Sequence, residues 1–158
     1  MRLMDSLDSS GSSTVIKVGH KFKGAIPAIL EEVLRMGLVY NKLNDRQFPG
    51  CFRCVAFAFD GSKLIGFGEN KQKTHTFTKK LYHDKMLMSV HAEADLIMKL
   101  LKSDSINDVT DIIVIRGTKQ PLNSHPCPIC TGLLKMYFNK IRLWWYDSNI
   151  EKWKVELI

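Results

Sequence analysis

The first sustained pattern of apolar positions begins after Pro27, where Ile29, Leu30, Val33, Leu34 and Leu38 recur at the spacing of one helix face. Proline is tolerated in the first turn of a helix, and Glu31 and Glu32 follow near its positive end, so a helix is predicted from Pro27. The period then changes. Cys54 to Phe59 reads CVAFAF, apolar on both faces and closed by Asp60-Gly61, and Lys63 to Gly68 supplies a second short apolar segment. Two adjacent strands joined by a tight turn are expected. From His91 the spacing is helical again, with Ala94, Ile97, Leu100 and Leu101 on one face, and Ile112 to Ile115 is a β-branched run suited to a buried strand. Thr118 to Pro126 reads as loop. A helix starting within Pro126 to Cys130 carries Leu133, Leu134 and Tyr137 inward, and Ile141 to Tyr146 is a further strand. After a turn at Asp147-Ser148-Asn149, Trp153, Val155 and Leu157 alternate with Lys154 and Glu156, the pattern of a half-exposed strand. The order helix, strand, strand, helix, strand, helix, strand, strand predicts an α/β sandwich with a mixed sheet of about five strands flanked by helices. The last two strands are joined by too few residues for a crossover helix, so they are expected to pair antiparallel.

Two segments depart from this regularity. Residues 1–23 are rich in Ser, Gly and Asp without periodicity, which predicts a flexible N-terminal arm with little share in the core and leaves 24–158 as the folded domain. Glu69 to Val90 has no clean period and carries Lys71, Lys73, Lys79, Lys80 and Lys85 together with His75 and His83. A connection of about twenty residues is longer than compact domains keep without a functional reason, which makes it a candidate substrate loop as well as a candidate solvated one. Phe77 and Tyr82 interleave with its lysines, a composition that also suits stacking on a single-stranded nucleic acid.

Composition narrows the class. The 158 residues, 45% of them hydrophobic, suffice for one core. Charged residues interrupt every apolar run well short of the roughly 18 residues that a membrane span requires, so no membrane partner is expected. The first residues lack the basic, apolar and small-residue regions of a signal peptide, and a cytoplasmic location is the default. A net charge of +7 attracts anions, among them nucleotides and nucleic acids.

Candidate chemistry gathers in two short stretches. Four cysteines form two Cys-x-x-Cys pairs, Cys51 with Cys54 and Cys127 with Cys130, and in a reducing compartment such pairs point to metal or redox work. His91-Ala92-Glu93 precedes one predicted helix and Pro126-Cys127-Pro128-Ile129-Cys130 another. His91, Cys127 and Cys130 are the ligand types of Zn²⁺, and three protein ligands leave one tetrahedral position for water. Zinc brings the pKa of bound water from about 15.7 towards roughly 7, which makes a nucleophile available at neutral pH. Helix N-termini favour the thiolate forms of the two cysteines. Glu93, two residues from His91, stands beside such a metal without ligating it and is placed to carry protons to and from a substrate. Two other metal arrangements remain open: a structural four-cysteine site, and a second site using His20 or His75. In a protein that bound nucleotides around a purely structural zinc, Glu93 would have no task.

His-x-Glu followed by Pro-Cys-x-x-Cys resembles the signature of the zinc-dependent cytidine/deoxycytidylate deaminase superfamily, in which the Glu is a general acid/base. The likeness covers about residues 24–158, and the text around Asn70 and the PCPIC segment is most similar to phage and bacterial cytidine deaminase-like proteins. It implies a three-layer α/β/α sandwich, one catalytic Zn²⁺, and assembly as a homo-oligomer. It also implies that Asn70, at the end of GFGEN, contacts the base or sugar of the substrate, with Ala92, Lys71 and His75 as further substrate-binding positions. The short final connection resembles that of the deaminases of free nucleosides, so the expected reaction is deamination of a free cytosine-type nucleoside or nucleotide. Action on cytosine or adenine in single-stranded DNA or RNA is the alternative.

Overall fold

The computed structural model describes residues 4–7, 13–45, 53–71 and 90–158. Cys51, Lys73, His75, Phe77, Lys79, Lys80, Tyr82, His83 and Lys85 lie outside the described residues. The elements, in chain order, are β1 (Met4–Leu7), β2 (Ser13–Ile16), α1 (Ile26–Asp45), β3 (Cys54–Asp60) and β4 (Lys63–Glu69), followed by α2 (Ala92–Lys102), a 3-10 turn at Ile106–Asp108, β5 (Asp111–Arg116), α3 (Pro128–Tyr137), β6 (Arg142–Asp147) and β7 (Lys152–Leu157). β1 and β2 form a separate antiparallel pair that the sequence pattern did not reveal.

β4-β3-β5-β6-β7 is the strand order of the main sheet. β3 runs antiparallel to both β4 and β5, β5 is parallel to β6, and β6 is antiparallel to β7. The mixed five-stranded sheet and its antiparallel final pair are therefore as the sequence predicts.

The sheet's two faces differ in side-chain size, and this decides how closely each helix approaches. On one face Val55, Phe57 and Phe59 of β3 and Ile113 and Ile115 of β5 pack against Ile26, Ile29, Leu30, Val33 and Leu34 of α1. On the other face β3 presents the small side chains of Cys54, Ala56 and Ala58, the two alanines next to Gly68 and Gly66 of β4, and α2 and α3 cover them. A Cβ on Gly68 would lie 2.3 Å from the Ala92 carbonyl oxygen and 2.4 Å from the Leu96 nitrogen. The absence of a side chain there lets the first turn of α2 rest on the strand. Three layers result, α1 on one side of the sheet and α2 with α3 on the other.

Polar ties hold the connections at one end of the sheet. The buried Asn41 carboxamide of α1 donates to the carbonyls of Gly117 (2.9 Å), Ile115 and Arg53 (both 3.4 Å), joining the end of β5 to the start of β3. Tyr40 and Asn44 both donate to the Glu69 carboxylate at the end of β4. At the opposite end the fully buried Asp111 accepts from Arg142 Nε (2.8 Å), Arg142 Nη2 (3.0 Å) and Trp144 Nε1 (2.7 Å). A buried carboxylate is tolerated when its charge and lone pairs are satisfied in this way.

Four expectations need correction. The boundary of the arm at residue 23 falls inside a packed segment: Gly19 N–H donates to the Leu64 carbonyl (2.7 Å), Leu64 N–H to the His20 carbonyl (2.9 Å), and Phe22 is 5% exposed against Phe59. Its Gly and Lys content concealed one apolar anchor. The alternation in β7 does not mark a covered face, since Val155 is 49% and Leu157 73% exposed. α1 packs over the other strands and reaches Trp144 of β6, leaving the outer part of β7 bare. Leu101 of α2, assigned inward by its spacing, is exposed, and Glu31 and Glu32 fall beyond the first turn of α1.

Candidate metal centre and active site

α2 and α3 begin at the same place. His91 is the residue before the first turn of α2, in extended conformation, and Cys127 holds the same position before α3, whose first helical residue is Pro128. Proline there fixes φ at a helical value and lacks an N–H that would otherwise be unpaired. The Cys127 Sγ accepts from the Cys130 N–H at 3.5 Å and so caps the helix with a sulfur.

The His91 Nδ1 lies 3.5 Å from Cys127 Sγ and 3.4 Å from Cys130 Sγ. Zinc–sulfur bonds of about 2.3 Å and zinc–nitrogen bonds of about 2.05 Å at a tetrahedral angle place S and N about 3.6 Å apart. Both His91–sulfur distances are close to this separation, and among the described residues the three donors are the His, Cys, Asp or Glu group that can hold a metal ion. Cys54 is outside the group, as a free, half-buried thiol at the start of β3. Exposed His20 stacks edge-on against Phe22, along β4 and away from the donors.

Electrostatics separate the two cysteines. The Cys130 thiol donates to Cys127 and lowers the Cys127 pKa to about 3, against burial and with help from His91 and the Cys130 N–H. In the same pair Cys130 is pushed up, by that bond and by its burial. The hydrogen bond to Cys127 raises His91 above its ordinary value, against the opposing effect of burial.

Glu93 is 5% exposed, and its carboxyl group lies beside Cys130. Burial raises its carboxyl above the ordinary value, against lowering by its own backbone N–H and by His91. A carboxyl raised by its surroundings exchanges protons nearer neutral pH, as a general acid/base requires. Burial also pushes up the Cys54 thiol, and the Glu93 charge adds to it, which places Cys54 beside the carboxylate.

The predicted substrate contacts are partly brought together. Asn70 closes β4, where its N–H donates to the Cys54 carbonyl (3.2 Å) and its Oδ1 accepts the Cys54 N–H (2.9 Å). Lys71 pairs by its backbone with Val90, next to His91, in both directions at 2.8 Å. Ala92 is buried against Gly68. His75 lies outside the described residues. His125, two residues before Cys127, turns away from the donor group: it pairs with Glu156 at 3.0 Å and stands edge-on to Trp145.

One residue at the site was passed over in the sequence. Asp95 is 2% exposed and accepts from Lys71 Nζ (2.8 Å), Lys99 Nζ (2.9 Å) and the Glu69 N–H (3.0 Å). Burial raises its carboxyl, but these bonds outweigh burial and hold it below the ordinary value. An acid in the first turn of a helix reads from sequence as a favourable dipole contact. Its distance of four from Lys99 was the available signal.

The chain is similar in structure to a cytidine deaminase from Mycobacterium leprae, with a TM-score of 0.52, 17% identity, and 80% of this chain and 92% of that one covered. A cytidine deaminase from Burkholderia pseudomallei gives a TM-score of 0.50 at 14% identity, over 77% of this chain and 91% of that one. No protein-family model and no curated protein matches the sequence. The three-layer sandwich expected from the sequence is thus the fold of these two structures.

Proposed function

We propose that this chain, which has the cytidine deaminase fold, is a zinc-dependent aminohydrolase that converts a free cytosine-type nucleoside or nucleotide to its uracil form and releases ammonia. The observation that carries this reading is a buried carboxylate, Glu93, in contact with a His91, Cys127 and Cys130 donor group spaced for zinc. Zinc held there supplies the Lewis acidity that makes water nucleophilic at neutral pH. Water adds to C4 of the base as Glu93 carries its first proton to the ring nitrogen, and Glu93 then carries the second proton, from the new C4 hydroxyl, to the exocyclic amine, which leaves as ammonia. Asn70 orients the base or sugar from the end of β4, with Lys71, Ala92 and His75 as further substrate contacts. Residues 24–158, with the packed stretch at Gly19 to Phe22 added to them, constitute the catalytic domain, preceded by the arm.

The free substrate is favoured by the final connection: β7 returns antiparallel to β6 after residues 148–151, without a helix between them. A second reading, action on cytosine or adenine within a single strand of DNA or RNA, is favoured by the net charge of +7 and the lysines from Lys71 to Lys85. Among the described residues no helix is long and apolar enough to cross a membrane. A cytoplasmic location and assembly of several copies belong to the same reading, and light scattering on the purified protein tests the assembly.

The deciding experiment is deamination by the zinc-loaded protein across cytidine, deoxycytidine, their phosphates, adenosine and a cytosine-containing oligonucleotide, with Glu93→Ala as control. Turnover of a free nucleoside or nucleotide that vanishes in Glu93→Ala is the expected result. Turnover of the oligonucleotide alone transfers the protein to the second reading, and silence across the panel refutes both.

A further inference from the structure

We propose that Asp95 is a positioning residue for substrate recognition, pinning the end of β4, with Asn70 and Lys71, to the first turn of α2. This rests on the deaminase reading of the site and adds to it a residue that neither holds metal nor moves protons.

The geometry is specific. Asp95 follows Glu93 by two residues, so its Cα belongs to the helix turn that carries the proton-transfer group. Its Oδ2 accepts the backbone N–H of Glu69 and its Oδ1 the ammonium of Lys71. Asn70 lies between those two residues. The residue before it is therefore held by the main chain and the residue after it by the side chain, both on one carboxylate. On the other flank, Tyr40 and Asn44 of α1 grip the Glu69 side chain, and the Asn70 carboxamide oxygen is fixed on the Cys54 N–H. The result is a strand end held from both layers of helices, so the position of Asn70 relative to Glu93 is set by bonds that run through Asp95.

The charge adds a second function. Lys71 and Lys99 share the single Asp95 carboxylate, which leaves the trio one positive charge in excess. Lys99 spends its ammonium on the Phe67 carbonyl and ring, deeper along α2. Lys71 is 43% exposed and stands next to Asn70, where its direction is set by Asp95 instead of by solvent. A long, flexible cation tethered in one direction loses less entropy on meeting a substrate, which is how preorganisation raises affinity.

The test compares Asp95→Asn, Lys99→Met and wild type as full-length, zinc-loaded proteins. Asparagine keeps the size of the side chain and can still accept the Glu69 N–H, but it cannot hold two ammonium groups as an anion. Expected for Asp95→Asn are an unchanged zinc content, kcat within about threefold of wild type, and a KM for the deaminated nucleoside raised about tenfold. The calorimetric Kd for uridine, the product-type nucleoside, should rise by the same factor. Lys99→Met should leave KM and the uridine Kd unchanged, because Asp95 still holds Lys71 and Glu69. A purely structural Asp95 gives another pattern, lower thermal stability with KM and the uridine Kd as in wild type, and that pattern overturns the proposal. If Asp95→Asn does not fold, Asp95→Ser, which also removes the anion without adding bulk, replaces it. Raised KM and uridine Kd then support the proposal, and unchanged values overturn it. Wild-type protein that neither deaminates nor binds a nucleoside removes the deaminase reading and this inference together. Wild-type turnover with insensitive variants removes the inference alone.

Discussion

Replacing Gly68 with alanine tests whether the seat of α2 on β4 governs the site. The added Cβ would meet the Ala92 carbonyl oxygen at 2.3 Å, the Leu96 nitrogen at 2.4 Å and the Leu96 Cα at 2.8 Å, all main-chain atoms that cannot rotate away. Restoring ordinary contact distances of about 3.5 Å requires the first turn of α2 to move by about 1 Å. Overpacking of this kind costs roughly 1–3 kcal/mol, which for a chain of this length lowers Tm by about 2–4 °C per kcal/mol. The larger effect falls on function, because His91 and Glu93 move with the helix, and a misplacement of about 1 Å costs on the order of a hundredfold in rate. Calorimetric melting, zinc content and kcat/KM on the nucleoside that wild type deaminates measure the three effects. Gly66→Ala is the internal control: its Cβ would meet only side-chain atoms, Leu100 Cδ2 at 3.1 Å and Leu96 Cδ1 at 3.6 Å, which can turn aside. That variant should lose less than about 1 kcal/mol and keep its activity. Melting and kcat/KM of Gly68→Ala indistinguishable from those of Gly66→Ala would refute the argument that the missing side chain sets the helix position.

Three further outcomes are expected. Glu93→Gln should keep its zinc while kcat falls by about 10²–10⁴-fold, since the amide has the shape of the carboxyl but transfers no proton; metal analysis and steady-state kinetics check this. Cys130→Ser should lose the metal on dialysis and, with it, the dependence of Tm on added zinc, which in wild type amounts to about 2.7 kcal/mol at a zinc concentration of about 100 times Kd. The depressed Asp95 carboxyl stabilises the fold above its unfolded pKa of about 3.9, and that contribution fades as pH falls through the lower folded value. The Tm difference between wild type and Asp95→Asn should accordingly be constant above about pH 5 and shrink below about pH 4, and melting across that range will show whether it does.

What was legible in the sequence follows from what each signal measures. Alternation and helical spacing report burial along one element, so the strands from Cys54 and Ile112 and the helices from Pro27 and His91 could be read directly. The candidate metal donors could be picked out because His91, Cys127 and Cys130 are chemically uncommon at helix starts. Asp95 was not, because a carboxylate acquires its role only when Lys71 and Glu69 arrive from a strand twenty-four or more residues away. Asp111 was hidden for the same reason, its partners Arg142 and Trp144 lying on the neighbouring strand. Phe22 was a single apolar residue in polar surroundings, too isolated to give a period. Val155 and Leu157 failed in the opposite sense: their alternation is real, but whether a helix covers that face depends on how far α1 extends across the sheet.

The outer rim of β4 has a consequence for how copies of this protein can meet. A strand at the border of a sheet offers unpaired N–H and C=O groups to any passing chain, and proteins close such borders to avoid runaway edge-to-edge association. Here the closure uses Leu64 paired with Gly19 and His20, the Phe67 carbonyl taken by Lys99, and the Glu69 N–H taken by Asp95. The other border, β7, is guarded differently, by Lys152, Lys154 and Glu156 spaced along it. Among the described residues, sheet-to-sheet fusion is therefore opposed by main-chain and side-chain caps at one border and by charge at the other, which favours meetings of copies through faces and loops.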